Sequence, residues 1–202
     1  EKDVVYELNI IAGDLSEESK QMLKRIVEPF GQARIVFREP PKLPGELIGA
    51  ISGKSHYSAA LFHKLLLPRL FEPNGKVVAL DVDTVYFGDV ADLHQIEFRG
   101  CVAGAREPLY WGWRGEGPLG ANGPGTRHYK RRYSDSERSR MTWSAGLIIY
   151  DLAEIERRNA VARWLDFALA NTHRLMLPEQ DVMNLALAEP PYPLPWSICT
   201  YA

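Results

Sequence analysis

Residues 76–85 have the sequence KVVALDVDTV and follow a Pro-Asn-Gly turn at residues 73–75. The apolar run at residues 77–80 predicts a buried central strand, and in open α/β sheets ligands bind beyond the carboxyl ends of such strands. Asp81 and Asp83 stand one residue apart where the chain leaves this strand. Two carboxylates in that position can turn toward one hard cation, and such a cation can hold a diphosphate. The pattern therefore predicts a functional site at the end of this strand.

The same Asp-x-Asp pattern has two other interpretations. A lone Asp-x-Asp often marks a solvated turn or a helix cap. Phosphatases of the haloacid dehalogenase type also place Asp-x-Asp-x-Thr/Val after an apolar strand, and residues 81–85 are similar to that pattern. Those enzymes also need a second acidic pair on a later strand. The candidate pair here, Asp89 and Asp92, follows too soon to come from another strand, so the phosphatase is the lesser alternative.

Composition predicts a single globular domain. The chain has 202 residues, of which 46% are hydrophobic, and no run approaches the length of a transmembrane segment. The formal net charge of −2 does not favour a nucleic-acid partner. The sequence has no Asn-x-Ser/Thr acceptor and no signal peptide, although it opens with Glu1 rather than Met. These features slightly favour the cytoplasm, with or without peripheral attachment to a membrane, over the Golgi or endoplasmic reticulum lumen. Nothing in the sequence indicates the oligomeric state.

The order of apolar and polar segments predicts an α/β fold. The predicted strands lie at residues 4–11, 34–37, 76–80, 85–87, 101–105 and 146–150. The predicted helices lie at residues 16–27, 58–67, 152–170 and 178–187.

Residues 107–140 interrupt this order and predict a long loop insertion. They contain six glycines, Trp111 and Trp113, and a basic cluster at residues 130–132. Long loops are commonly functional covers or mobile connectors. The stretch is therefore either a solvated insertion or an acceptor-binding flap, in which aromatic faces would suit sugar rings and arginines would suit acidic groups.

A second polar cluster lies at residues 177–184, with the sequence LPEQDVMN. Pro178 suits the start of a helix, and Glu179, Gln180 and Asp181 then occupy its first turn. In isolation the acidic residues would simply stabilise the positive end of the helix. Together with the Asp81 strand and the strand at residues 146–150, they become candidates for a shared site.

These segments together resemble the retaining glycosyltransferases of family 8. The resemblance rests on the helix at residues 61–68, the Asp-x-Asp strand at 77–83, an Asn-Ser-Gly-like strand at 142–152 and an Asp-Gln-Asp-like helix at 177–184, in the family's order, with a Leu-Pro-Trp at 194–196. It implies the GT-A fold, a Rossmann-like mixed sheet flanked by helices that binds nucleotide-diphospho-sugars. It covers nearly the whole chain.

The resemblance implies a role for each matching residue. Asp81 and Asp83 would ligate Mn²⁺ or Mg²⁺ that bridges the donor diphosphate, and Asp83 would also face the donor. Gln180 would lie beneath the reacting anomeric carbon. The remaining implied donor-site and catalytic residues are Lys64, Ser144, Gly146, Glu179 and Asp181, the last two binding sugar hydroxyls or tuning the site.

The chain also departs from the family's pattern. Its Asn-Ser-Gly reads Ser144-Ala145-Gly146, and the first acid of Asp-Gln-Asp is Glu179. The family's first strand and its His-rich C-terminal segment, which gives the third metal ligand, are not found in the sequence. The chain is accordingly expected to be either a fragment of a longer enzyme or a non-catalytic relative.

We therefore expect a metal-dependent retaining glycosyltransferase. It would move a hexose or xylose from a UDP-sugar to a glycan, lipid-linked or protein acceptor. The alternative from a different class is a glycosyltransferase-like domain that only binds or acts as a scaffold. Because an amide is a poor nucleophile, Gln180 favours front-face attack through an oxocarbenium-like state over a stable covalent intermediate.

Overall fold

The structure is a computed structural model that describes residues 4–51, 59–98, 100–106, 130–141, 143–189, 191–194 and 200–201. The chain divides into two compact units, Glu1–Lys42 and Leu43–Ala202. All predicted site residues belong to the second unit. The prediction of one domain over the whole chain stays a prediction.

The first unit is a β-α-β element. Strand β1 (Tyr6–Ile11) and strand β2 (Ala33–Arg38) pair in parallel. Helix α1 (Glu17–Val27) connects them, and the Ser16 side chain caps it by accepting a hydrogen bond from Ser19 N at 3.1 Å. The predicted strands and helix of this unit are confirmed within two residues.

The second unit contains a mixed four-stranded sheet. Its strands are β3 (Lys76–Leu80), β5 (Ala103–Arg106), β6 (Ser144–Asp151) and β7 (Tyr192–Pro193), in the order β3-β6-β5-β7. β6 is antiparallel to both neighbours, and β5 is parallel to β7. In the described sheet β3 is an edge strand of intermediate burial, so the prediction that it is a buried central strand is wrong, and β6 is the buried strand inside the sheet. Strand β4 (Thr84–Val85), predicted at residues 85–87, pairs separately with β8 (Thr200–Tyr201). The predicted mixed α/β architecture is confirmed.

The helices of this unit flank the sheet. They are α2 (Gly45–Ile51), α3 (His63–Leu66), α4 (Val90–Leu93), α5 (Asp135–Arg140), α6 (Leu152–Arg157), α7 (Ala160–Asn171) and α8 (Pro178–Leu185). Short 3₁₀ turns, Ala59–Phe62 and Leu67–Leu70, flank α3. Among the described residues, no helix is long and apolar enough to cross a membrane.

Three predicted segments differ from the structure by more than one or two residues at an end. The helix predicted at residues 152–170 is two helices, because Asn159 adopts a left-handed conformation with φ of 50° between them. The helix predicted at 58–67 is α helical only at His63–Leu66. Residues 107–129 of the predicted loop lie outside the described residues, but its last part is not irregular, since α5 begins with a capping box between Ser134 and Glu137.

Strand β6 forms the centre of the core. Leu147, Ile148, Ile149 and Tyr150 are completely buried, and successive side chains point to opposite faces of the sheet. Ile148 and Tyr150 pack in the cluster that includes side chains of α3, α7 and α8, while Leu147 and Ile149 pack with Leu93, Phe98 and Leu194. Burying each large apolar side chain contributes about 1.5–3 kcal/mol. The helices that carry polar site residues are thus packed on one face of β6.

Candidate functional site

The carboxyl end of β3 meets the beginning of β6. Leu80 pairs with Leu147 in the antiparallel ladder, and Asp81 N donates to Gly146 O at 2.9 Å. Thr84 N then donates to Asp81 O at 3.0 Å, which closes a tight turn. Gly146 and Asp81, which the resemblance placed in one site, are therefore held together by the sheet itself.

The two aspartates of this turn have different surroundings. The Asp81 side chain is 37% exposed and lies against Lys64. Asp83 is exposed, and no side-chain partner is found for it in the described part of the chain. Asp81 is therefore positioned before any ligand arrives, whereas Asp83 is free to turn toward one.

Lys64 of α3 is the cation of the site. Its Nζ lies 2.5 Å from Asp81 Oδ1 and 3.8 Å from Glu179 Oε1, and it donates to Ala145 O at 3.0 Å. The Lys64 backbone is held in turn, because the buried Tyr150 hydroxyl donates to Lys64 O at 2.8 Å. One ammonium group thus joins the β3 end, the β6 start and α8.

Glu179 is a buried carboxylate beside this ammonium. Only 10% of its side chain is exposed, and its Oε2 has no hydrogen-bond partner among the described residues. Burial raises the pKa of the Glu179 carboxyl above its ordinary value, although the Lys64 charge acts in the opposite direction. An unsatisfied buried acceptor costs free energy, so Glu179 is prepared to receive a donor from a ligand.

Gln180 is half-buried and contacts β6 through its amide. Ala145 N donates to Gln180 Oε1 at 3.3 Å, which leaves the amide NH₂ group without a partner among the described residues. Nearby, Gly146 N donates to Ser144 Oγ at 3.3 Å. The side chains of Ser144 and Gln180 therefore both accept hydrogen bonds from the backbone at the start of β6.

Asp181 differs from the other acids because it is completely buried and one of its oxygens accepts three hydrogen bonds. Its Oδ2 accepts hydrogen bonds from Met176 N at 2.7 Å, Leu177 N at 3.1 Å and the Tyr133 hydroxyl at 2.7 Å. Burial, followed by the Asp181 charge, raises the pKa of Tyr133 far above its ordinary range, so Tyr133 acts as a donor. These contacts do not support the expectation that Asp181 binds a sugar hydroxyl directly.

Sequence reasoning assigned no role to three residues that hold the site together. Asn184 accepts from Trp143 N at 3.1 Å and donates to Trp143 O at 2.9 Å and to Gln180 O at 2.7 Å. Tyr150 holds the Lys64 backbone, and Tyr133 holds Asp181. Only Asn184 had a sequence signal, since it lies one helical turn after Gln180 in the quoted segment.

The predicted metal site can be tested against its donor atoms. Among the described residues there is no group of three or more His, Cys, Asp or Glu side chains arranged to hold a metal ion. Asp81 and Asp83 could offer two carboxylate groups where β3 ends. Mg²⁺ is commonly held by one or two carboxylates together with substrate phosphates and water. The residues present therefore fit an ion that is shared with a bound diphosphate.

Solved glycosyltransferases share this fold at low sequence identity. The bifunctional glycosyltransferase WbbM matches with a TM-score of 0.66 and 18% identity, covering 92% of this chain and 32% of that chain. The galactosyltransferase LgtC, solved with donor and acceptor sugar analogues, matches with a TM-score of 0.59 and 14% identity, covering 90% of this chain and 60% of that chain. Mouse xyloside xylosyltransferase 1 matches with a TM-score of 0.57 and 14% identity, covering 88% of this chain and 66% of that chain. The chain thus spans 32% to 66% of the length of these three structures.

The fold and the sequence family agree. The neighbours have the GT-A type of fold, and the mixed sheet flanked by helices in this protein is of the same type, as the resemblance implied. No curated protein sequence matches the chain significantly. The family described as "Glycosyl transferase family 8" matches residues 1–201. Because this match covers nearly the whole chain, the protein belongs to glycosyltransferase family 8.

Proposed function

We propose that the protein is a metal-dependent retaining glycosyltransferase that uses a UDP-sugar. The observation that carries the proposal is the convergence of Lys64, Asp81 and Glu179 from α3, the β3 end and α8. Charged groups gathered in this way where a strand of an α/β sheet ends are typical of active sites. Membership of family 8 supports glycosyl transfer as the reaction.

Asp81 and Asp83 are the residues that would hold Mn²⁺ or Mg²⁺. Members of the family are generally metal-dependent. When bound, such an ion supplies positive charge that stabilises the leaving diphosphate. Lys64 lies beside Asp81 and would add a second positive charge to the same diphosphate. The turn after β3 and helix α3 together form the proposed diphosphate side of the site.

Glu179, Gln180 and Ser144 would bind the donor sugar. Glu179 Oε2 offers an unsatisfied acceptor for a sugar hydroxyl, and the Gln180 NH₂ group offers a donor. Burial of Glu179 limits water in this part of the site, which strengthens each polar contact with the sugar. We assign these residues to the sugar side, with Gly146 closing it at the start of β6.

Retention of configuration is implied by the family resemblance, and the weak nucleophilicity of Gln180 bears on how retention would be achieved. An amide does not readily form a covalent glycosyl intermediate, and Asp181 is already engaged by three described donors. The acceptor hydroxyl would therefore attack on the face from which the diphosphate leaves. The donor sugar would be a hexose or xylose, since the neighbours include a galactosyltransferase and a xylosyltransferase. The acceptor would be a glycan, a lipid-linked sugar or a protein.

The test is calorimetric titration of UDP in the presence of Mn²⁺, repeated with EDTA. Asp81→Asn should lose metal-dependent UDP binding, because it removes a ligand charge at the end of β3. Asp89→Asn is the matched control, since Asp89 caps α4 and Asn caps a helix equally well. Metal-independent binding, or equal loss in both variants, would contradict the proposal.

One observation favours a second function, a domain that binds nucleotide-sugar without transferring it. The described residues contain no third protein ligand near Asp81 and Asp83, and a weakly held ion would support binding better than turnover. Incubation with a panel of UDP-sugars separates the two functions. A transferase releases UDP even without an acceptor, because it slowly transfers the sugar to water. A binding domain leaves the UDP-sugar intact.

A further inference from the structure

We propose that Asp181 and Tyr133 form a brace that positions the Glu179–Gln180 turn, and that Asp181 takes no direct part in the reaction. The proposal rests on the proposed function for its catalytic consequence, while the brace itself can be tested in the absence of any substrate. Asp181 and Tyr133 are thus assigned as positioning residues. The brace is defined by these two side chains and the backbone N–H groups of Met176 and Leu177.

The first argument is the hydrogen bonding of one oxygen atom. Asp181 Oδ2 accepts from Met176 N, Leu177 N and the Tyr133 hydroxyl, at 2.7, 3.1 and 2.7 Å. A carboxylate oxygen has about two lone pairs, so three donors saturate it. Asp181 is also completely buried. A nucleophile needs a free lone pair and a path to the sugar, and this oxygen has neither.

The second argument is that the Tyr133 side chain is itself held in place. The single Tyr133 hydroxyl proton is shared between Asp181 Oδ2 at 2.7 Å and Arg174 O at 3.1 Å, and the Arg174 guanidinium lies 5.0 Å from the Tyr133 ring centre. Arg174 in turn pairs with Glu137 of α5 at 2.7 Å. The Tyr133 ring is buried with Met141 and Leu185. Tyr133 is therefore fixed from both sides and can act as a stable support.

The third argument is where the brace acts. Asp181 reaches back over the first turn of α8 and holds the backbone of Met176 and Leu177, the two residues before Pro178. The direction in which the chain enters α8 sets the positions of Glu179 and Gln180. A displacement of about 1 Å in such groups can reduce the rate by roughly a hundredfold. Loss of the brace should therefore impair turnover before it impairs binding of the nucleotide.

The test compares Tyr133→Phe with Tyr192→Phe in the full chain. Tyr192 is a suitable control because it is half-buried against Phe98 and its hydroxyl has no described partner. Hydrogen exchange of the peptide spanning residues 175–182 should accelerate in Tyr133→Phe alone. UDP release from the best UDP-sugar should fall roughly tenfold, with UDP–Mn²⁺ affinity unchanged, since one hydrogen bond to a charged group is lost.

Asp181→Asn and Asp181→Ala complete the test. The Asn oxygen can still accept hydrogen bonds from the backbone, so Asp181→Asn should keep at least about a tenth of the turnover, whereas Asp181→Ala should lose far more and melt earlier. Two results would overturn the proposal. One is an Asp181→Asn variant with normal exchange and UDP binding but no turnover; the other is a Tyr133→Phe variant that behaves like Tyr192→Phe. If the wild type neither binds UDP nor releases it, the proposed function fails, and the exchange data alone decide the brace.

Discussion

Helices α1 and α8 both begin with two acidic residues in the first turn, yet they use those residues differently. In α1 the acids are Glu17 and Glu18, and none of the helix residues is buried. In α8 they are Glu179 and Asp181, and seven of the eight helix residues are buried. The same sequence signal for a helix start therefore accompanies a surface helix in one unit and a site helix in the other.

The difference shows that burial determines the chemistry of an acidic first turn. Glu17 is 80% exposed and pairs with Lys20 at 2.7 Å, and this hydrogen bond lowers the pKa of Glu17. Glu179 is 10% exposed, and burial raises its pKa despite Lys64 at 3.8 Å. Water screens the charge of Glu17, so this side chain does little beyond interacting favourably with the helix dipole. The second is desolvated and can bind a ligand strongly.

Exchanging each acid for its amide should give the largest contrast. We expect Glu179→Gln to reduce UDP release from a UDP-sugar by roughly a hundredfold or more, because it removes the buried carboxyl group that we assign to the sugar side of the proposed site. Glu17→Gln, the matched control, should leave the rate unchanged. Steady-state rates of UDP release provide the measurement. A Glu179→Gln variant as active as the control would remove Glu179 from the site.

The lysines that pair with these helices should give the next largest contrast. Lys64→Met removes the ammonium beside Asp81 and Glu179, and we expect UDP–Mn²⁺ binding to weaken roughly tenfold to a hundredfold. Binding of Mn²⁺ without nucleotide should tighten, because Asp81 no longer carries a competing cation. Lys20→Met removes the exposed pair with Glu17 and should change neither affinity. Calorimetry of each variant measures the affinity for UDP–Mn²⁺ and the affinity for Mn²⁺ alone. Unchanged UDP binding in Lys64→Met would exclude Lys64 from the diphosphate side of the site.

The pH dependence of stability should have opposite signs for the two glutamates. The folded-state pKa of Glu179 is raised above the unfolded value of 4.5. Its contribution to the free energy of unfolding is therefore fully present below pH 4.5 and is lost as the pH rises through the folded-state pKa. The folded-state pKa of Glu17 is lowered, so its contribution is present above 4.5 and is lost as the pH falls. Denaturant unfolding of the wild type and the two amide variants between about pH 2 and pH 8 covers the window below 4.5 for Glu17 and the window above 4.5 for Glu179. Slopes of equal sign would contradict the comparison.

The parts of the fold that depend on local pattern were predictable from the sequence. The strand Lys76–Leu80 matches its predicted bounds, because a Pro-Asn-Gly turn precedes it and Asp81 follows it. Ser16 caps α1 as its Ser-Glu-Glu context predicts. The two polar clusters beside predicted strands made Asp81 and Glu179 candidates for one site, whereas Lys64 joined them only through the family resemblance.

The parts that depend on long-range contacts were not predictable. Asp181 and Tyr133 are 48 positions apart, and only their contact reveals that Asp181 is saturated. Helix α5 carries a Ser134–Glu137 capping box, but the glycine-rich residues before it favoured a continuous loop. The break at Asn159 has no proline or glycine to mark it. Only the Asp181–Tyr133 contact is long-range; at α5 the local Ser-x-x-Glu signal was present but was outweighed by the glycines before it.

The smallest effect should come from the helix caps. Ser16 caps α1 through its side chain, whereas Leu177, at the same position of α8, offers no side-chain cap. Ser16→Ala should therefore lower the free energy of unfolding by about 1 kcal/mol and leave UDP binding unchanged, because α1 carries none of the proposed site residues. Thermal and denaturant unfolding measure the first effect, and calorimetry the second. If Ser16→Ala weakened UDP binding as strongly as Lys64→Met, the separation between a surface helix and a site helix would be wrong.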